Sequence, residues 1–192
     1  MPKFELYVML SNLRVLFLNM KDGISIGKQS KLDWRVRIDI IKGAKLFISR
    51  GVYLRSRSRG YHAGMPFPTS IFADVKGAVI RIGERSRLNG VYIHAKKKVE
   101  IGKNCVIASG VNILDSNGHK LYSVDRTIGK DKPSSVLIGD NVWIGINAVI
   151  LKGTEIGSNS VIAAGSVVKG NIPSNSLVVG NPGIVVKKLN NI

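Results

Sequence analysis

The sequence predicts an all-β chain wound as a parallel β-helix of hexapeptide repeats, and three observations carry that prediction. A bulky aliphatic residue recurs at every sixth position: Ile138, Ile144, Ile150, Ile156, Ile162 and Val168. Four positions after each stands a residue that is mostly small or β-branched: Val142, Ala148, Thr154, Ser160, Ser166 and Ile172. Glycine follows directly at Gly139, Gly145 and Gly157. Neither the helical period of about 3.6 nor the strand period of about 2 gives a spacing of six, whereas a hexapeptide solenoid does. Six residues then form one side of a triangular prism and eighteen complete a turn. Ile138 is expected above Ile156, Ile144 above Ile162 and Ile150 above Val168, with parallel ladders between coils and an apolar column inside.

The elements follow in chain order. Residues 1–23 are expected to form a short amphipathic helix, because Leu6 to Met20 is apolar but interrupted by Asn12, Arg14 and Asn19. That stretch lacks the roughly 18 uninterrupted apolar residues of a spanning helix, and no small-residue cleavage site follows it. It either caps the fold or lies on a membrane surface, helped by the basic residues after it. Residues 24–176 are expected to form the β-helix, irregular to about residue 80, where the six-step appears only as echoes at Ile26, Leu32 and Ile38 and at Ile82 and Leu88. It becomes regular at Ile101, Ile107 and Ile113, which places Cys105 in the core as a small hydrophobe. Inserted loops are expected at about 50–70, where RGVYLRSRSRGYHAGMPFP breaks the pattern, and at 119–137. Residues 177–192 form a C-terminal segment.

Composition narrows the function. The chain is long enough for one buried core and too short for two full-sized domains. Its 192 residues carry 29 Lys/Arg against 12 Asp/Glu, a formal net charge of +17. The excess is concentrated in residues 1–100, with 20 basic against 7 acidic residues, compared with 9 against 5 in residues 101–192. Such a bias attracts polyanions or phosphate-bearing partners without naming one. Arg55, Arg57 and Arg59 alternate, yet no nucleic-acid module accompanies them, so no nucleic-acid partner is expected. A single cysteine excludes an intrachain disulfide and suits a reducing, cytoplasmic setting.

Three segments, IGKNCVIASGVNILDSNGH at 101–119, IGDNVWIGINAVILKGTEIGSNSVIAAGSVV at 138–168 and VVGNPGIVVKK at 178–188, resemble the hexapeptide acyltransferase superfamily. The likeness is to its branch of sugar and polysaccharide O-acetyltransferases, with galactoside and maltose acetyltransferases. The resemblance implies that the coil is left-handed and that the chain is a homotrimer with an active site in each cleft between neighbouring prisms. It also implies acetyl-CoA as co-substrate, no metal, and a sugar or glycan acceptor.

Acyl transfer to a sugar hydroxyl needs a base, since the hydroxyl is a weak nucleophile near neutral pH. His119 matches the family's base. Its ring is held either by the carboxylate of Asp115 or by a backbone carbonyl, and Asp115 is equally read as a turn residue. The oxyanion needs a prepositioned donor, which the resemblance assigns to the backbone N–H of Ile146. Trp143 and Gly145 in the same WIGI segment, with the small Ala163, Ala164 and Gly165, would admit the narrow pantetheine arm. Asn181, Pro182, Lys187 and Lys188 match the adenine-end segment, where the lysines either pair with phosphates or remain solvated. After the Gly-Asn-Pro the family often carries Ala and a basic residue, where this chain has Gly183 and Ile184.

Asn89 is an acceptor contact or a turn residue, and His94 faces the cleft or the surface. A zinc centre needs three converging histidines, and His62, His94 and His119 lack the closely spaced pair that zinc-binding relatives carry. N-acetylation of an amino-sugar nucleotide and a non-catalytic scaffold are the alternatives to O-acetylation.

Overall fold

The computed structural model describes residues 3–189; the ends of the terminal segments, residues 1–2 and 190–192, lie outside the described residues. The chain winds into a prism with three parallel sheets, left-handed as the resemblance implies. The first face runs through seven strands from Ile24–Ile26 to Asn171–Ile172. The second runs from Lys31–Leu32 to Ser176–Val179, with one further strand at its end. The third runs from Arg37–Ile40 to Val167–Val168.

Each face turns one aliphatic ladder inward. Ile26, Ile48, Ile82, Ile101, Ile138, Ile156 and Ile172 pair in register on the first face. Leu32, Leu54, Leu88, Ile107, Ile144, Ile162 and Val178 do so on the second. Ile38, Ile71, Ile93, Ile113, Ile150 and Val168 do so on the third. The expected pairs 138–156, 144–162 and 150–168 are all present. Burying one such side chain contributes about 1.5–3 kcal/mol, and the stacked columns repeat that gain at every coil. Cys105 is fully buried, as expected.

The early coils are more regular than their sequence. Ile24–Ile26 already pairs with Lys45–Ile48, and Lys31–Leu32 with Tyr53–Arg55. The expected loop at 50–70 therefore shrinks to 56–69: Val52 and Leu54 are fully buried, so a coil strand occupies its first part. The later excursion leaves the third face after Asn112–Leu114 and rejoins the first at Val136–Ile138. The strand Ile184–Lys188 runs antiparallel to Ser176–Val179 and closes the second face; no periodicity announces it.

Corners repeat as well. Asn104, Asn141 and Asn159, from GKN, GDN and GSN, hold φ of 58°, 55° and 60°, values that Asn tolerates better than most residues. Beside them Gly83, Gly102 and Gly139 stack coil over coil. A Cβ on Gly102 would lie 2.5 Å from the backbone carbon of Gly139. Because that obstacle is backbone, Gly102→Ala is expected to destabilise by about 1–3 kcal/mol, measured as a Tm lower by several degrees in thermal unfolding.

The helix Lys3–Asn19 covers the open edge of the first coil. Ser11 Oγ accepts the Leu32 N–H at 2.9 Å, and Asn19 exchanges two hydrogen bonds with the backbone of Ile26. Arg14 donates to the carbonyls of Asp33 and Val36. These bonds satisfy strand-edge groups that would otherwise template aggregation. The helix departs from the simple amphipathic pattern that the sequence predicts. Ser11, Val15 and Leu18 face the coil, but Leu13, Leu16 and Phe17 on the opposite side are apolar and exposed. No helix among the described residues is long and apolar enough to cross a membrane.

Candidate active site

The outward ladder of the second face changes character along the prism. Arg87, Val106, Trp143, Val161 and Leu177 pair in sequence, and Lys187 lies opposite Leu177 at the end. A groove of about 530 Å³ follows its apolar stretch. One wall is made by turn residues Gly145, Ile146, Ala163 and Ala164; the other by Tyr61, His62 and Ala63 of the inserted loop, with Asn89 at one end. Small residues are required where the turns approach, since a Cβ on Gly145 would lie 2.6 Å from the Ala164 nitrogen. Gly165 follows at φ +69°, exposed and with open space around it. Trp143, 55% exposed, presents an aromatic surface to the groove that no core contact uses.

Ile146 sits second in a tight turn closed by the Ala148 N–H to the Gly145 carbonyl, with Asn147 third at φ +56°. This is the pattern of a type II turn, whose second N–H is left outside the turn's own hydrogen bond. The Ile146 carbonyl accepts from Gly165, which fixes the peptide, while its N–H makes no hydrogen bond among the described residues. It is thus an oriented donor on the groove wall. Asn89 is 8% exposed and commits Nδ2 to the Ile107 carbonyl at 3.0 Å, while Oδ1 accepts no hydrogen bond among the described residues.

His119 stands on the later loop, exposed, with Nδ1 2.8 Å from the Arg126 carbonyl. A carbonyl only accepts, so Nδ1 carries the proton and Nε2 presents a lone pair. The Arg126 guanidinium in turn donates to the carbonyls of Lys120 and Leu121, closing the turn that aims this carbonyl. Asp115 does not take part. Its fully buried carboxylate accepts the backbone N–H groups of Lys96, Lys97 and Lys98 at 2.8, 2.7 and 2.7 Å. The orienting role is corrected accordingly: the carboxylate is consumed by the adjacent coil's corner, and a backbone carbonyl holds the ring.

The loop is clamped at its root. Asp131 accepts from Lys152 Nζ at 2.7 Å, from Ser116 Oγ at 2.5 Å and from the Asn117 N–H at 2.8 Å. Burial alone would raise the Asp131 pKa, but these donors outweigh it and hold the carboxyl at about 2. A pKa depressed on folding contributes stability that is full above the unfolded carboxylate pKa and lost as pH falls through the folded value. The clamp is therefore expected to hold at neutral pH and to release only near pH 2. Asp131→Asn should open the loop at pH 7, raising tryptic cleavage at Lys120 and Arg126 by about tenfold, the loss of one hydrogen bond to a charged group of about 1.5 kcal/mol. Cleavage no faster than in the parent chain would contradict the clamp.

The structure brings Asn89, Trp143, Gly145, Ile146, Ala163 and Ala164 together around the groove, with Gly165 next to it and Lys187 at its end. His119 is not there: its loop leaves the corner between third and first faces. His94 lies on the third face with Nε2 2.9 Å from Asp74 Oδ1 and does not line the groove. Asn181 and Pro182 occupy the exposed turn before the final strand, which the Gly183 N–H pins to the Val167 carbonyl; Lys188 is exposed on that strand.

Sequence reasoning missed Tyr61 and weighed His62 only as a zinc ligand, whereas both line the groove. The Tyr61 hydroxyl accepts the Ser109 N–H at 3.3 Å and Ser109 Oγ donates to the Gly64 carbonyl, which folds the loop over the second face. Its composition, YHAG between an arginine-rich and a proline-rich stretch, signalled a loop but not its packing. Of the alternating arginines, Arg57 pairs with buried Asp33 at 3.4 Å and Arg55 lies over Tyr53 and Tyr61.

Residues 135–170 match the family model described as bacterial transferase hexapeptide, six repeats. Over 115 residues the chain is 39% identical to galactoside O-acetyltransferase of Escherichia coli K12, covering 59% of this chain and 56% of that protein. It is 33% identical, with a TM-score of 0.55, to a hexapeptide-repeat acetyltransferase of Vibrio cholerae crystallised with acetyl coenzyme A, over 58% of this chain and 61% of the other. A galactoside acetyltransferase in complex with coenzyme A is 31% identical with a TM-score of 0.55, over 79% and 65%. The chain spans little more than half the length of the curated relatives it matches.

Proposed function

We propose that this chain is an acetyl-CoA-dependent O-acetyltransferase of the cytoplasm, acting on a sugar hydroxyl of a cell-surface glycan or its precursor. The observation that carries the reading is the outward ladder of the second face. Its apolar run from Val106 to Leu177, walled by Ala163, Ala164 and Gly145, suits a long narrow arm, and Lys187 at its end suits phosphates. The free Ile146 N–H on the wall supplies the donor that an oxyanion requires.

His119 accepts the proton of the sugar hydroxyl at Nε2 while its Nδ1–H remains on the Arg126 carbonyl. The hydroxyl oxygen forms a bond to the thioester carbonyl carbon, and the charge that develops on the carbonyl oxygen is met by the Ile146 N–H. As the C–S bond breaks, His119 returns its proton to the departing sulfur, so base and charge balance over the cycle. Asn89 Oδ1 is placed to accept from an acceptor hydroxyl.

Because the His119 loop and the groove leave different sides of one prism, the reading includes a homotrimer in which the loop of one copy completes the groove of the next. Purified protein should release free CoA from acetyl-CoA only when a sugar acceptor is present. Mixing refolded His119→Ala chains with chains altered at Gly145 should restore part of the activity, since a mixed assembly contains an intact base beside an intact groove. No restoration would place the whole site within one chain, and no acyl-CoA binding would leave a scaffold.

A further inference from the structure

We propose that the outer face of the N-terminal helix and the adjoining first-coil corner dock on an anionic phospholipid surface. The helix carries two seams at helical spacing on opposite sides. Ser11, Val15 and Leu18 are packed on the coil; Leu10, Leu13, Leu16, Phe17 and Met20 point away and are 54–83% exposed. In the corner that Arg14 of the helix joins through the Asp33 and Val36 carbonyls, Trp34 is 73% exposed. A soluble end cap needs only the first seam, and the second leaves a contiguous apolar strip of the kind that marks an interaction site.

Charge selects the occupant. Residues 20–45 hold seven Lys/Arg against three Asp, and one of the three, Asp33, is fully buried and paired with Arg57. Two of the cations lie over the exposed aromatics, Lys21 5.4 Å from the Phe17 ring and Arg35 5.8 Å from the Trp34 ring. Apolar and aromatic side chains rimmed by Lys and Arg match the boundary between acyl chains and anionic headgroups. A second copy paired through the same face would set these cations against each other. Lipid phosphates would neutralise them, each cation near the surface adding to the attraction. The docking is peripheral, since no described helix can span a bilayer, and it does not depend on acyl transfer.

The test uses the full chain and sedimentation with vesicles of phosphatidylcholine alone or with roughly 30% phosphatidylglycerol, at about 0.1 M and 0.5 M salt. Binding is expected on the anionic vesicles at low salt, at least about tenfold weaker on neutral vesicles and at high salt. Leu13→Glu/Phe17→Glu and Lys21→Glu/Arg35→Glu should each weaken it at least about tenfold. CoA release with a water-soluble acceptor should be unchanged in both, because these side chains face away from the coil. Phe17→Ser keeps the test decisive where the double substitution unfolds the helix. Equal sedimentation of parent and variants, no sedimentation with anionic vesicles, or a variant that instead changes the assembly mass without lipid would each overturn the proposal.

Discussion

His119→Ala is expected to lower acceptor-dependent CoA release by at least about 100-fold, the usual contribution of a positioned general base. The same change should leave the thermal midpoint nearly untouched, because the side chain is exposed and its one hydrogen bond among the described residues is to the Arg126 carbonyl; exposed substitutions typically stay within about 0.5 kcal/mol. The pair of results separates chemistry from folding. Arg126→Ala offers a graded version. It removes the two hydrogen bonds that close the turn but leaves the carbonyl that meets Nδ1. A fall in kcat with little change in KM for acetyl-CoA would mark Arg126 as a positioning residue. Full activity in His119→Ala would remove the histidine from the mechanism.

Asp115→Ala is expected to do the reverse. Three backbone N–H groups converge on one fully buried carboxylate, and deleting it takes their shared acceptor from all three. Hydrogen bonds to a charged group contribute about 1.5–3 kcal/mol each. Even with relaxation the loss should reach about 3–5 kcal/mol, since each donor left without a partner costs about 1–3 kcal/mol. Against a typical total of about 5–15 kcal/mol, this is a large fraction. Chemical denaturation should show it as a lower midpoint with an unchanged slope. Whatever folded Asp115→Asn survives should turn over with the parent pH profile, whereas an orienting carboxylate would shift that profile.

The two aspartates and the histidine also show where sequence is transparent and where it is not. Periodicity exposes the inward ladders because one side chain per six residues must be apolar for a coil to stack, so Ile138, Ile144 and Ile150 found their partners without a structure. The same logic fails in the first coils. There Arg37, Asp39 and Lys45 crowd the outward positions, and strand pairing of the 24–40 coil is held partly by the helix above it rather than by repeat residues.

The outward groove is half legible. Trp143, Gly145 and Ile146 belong to the repeat and are fixed by it. Tyr61 and His62 reach the same groove from a loop whose path depends on the hydrogen bonds of Ser109 more than forty residues away. Asp115 misleads because it lies four residues before the histidine yet serves a corner seventeen to nineteen residues upstream. The clamp from Lys152 to Asp131 likewise joins a coil to a loop root across 21 residues. No local pattern carries such contacts, since they depend on which coil lies above which.

Acyl transfer itself is tested most directly by mass spectrometry of the cell-surface glycan from cells with and without the chain, alongside cells carrying His119→Ala. The account predicts a sugar heavier by one acetyl group, labile to mild base as an ester, in the presence of the parent chain and missing in the other two. Identical glycans in all three, or an acetyl group that persists with His119→Ala, would contradict it.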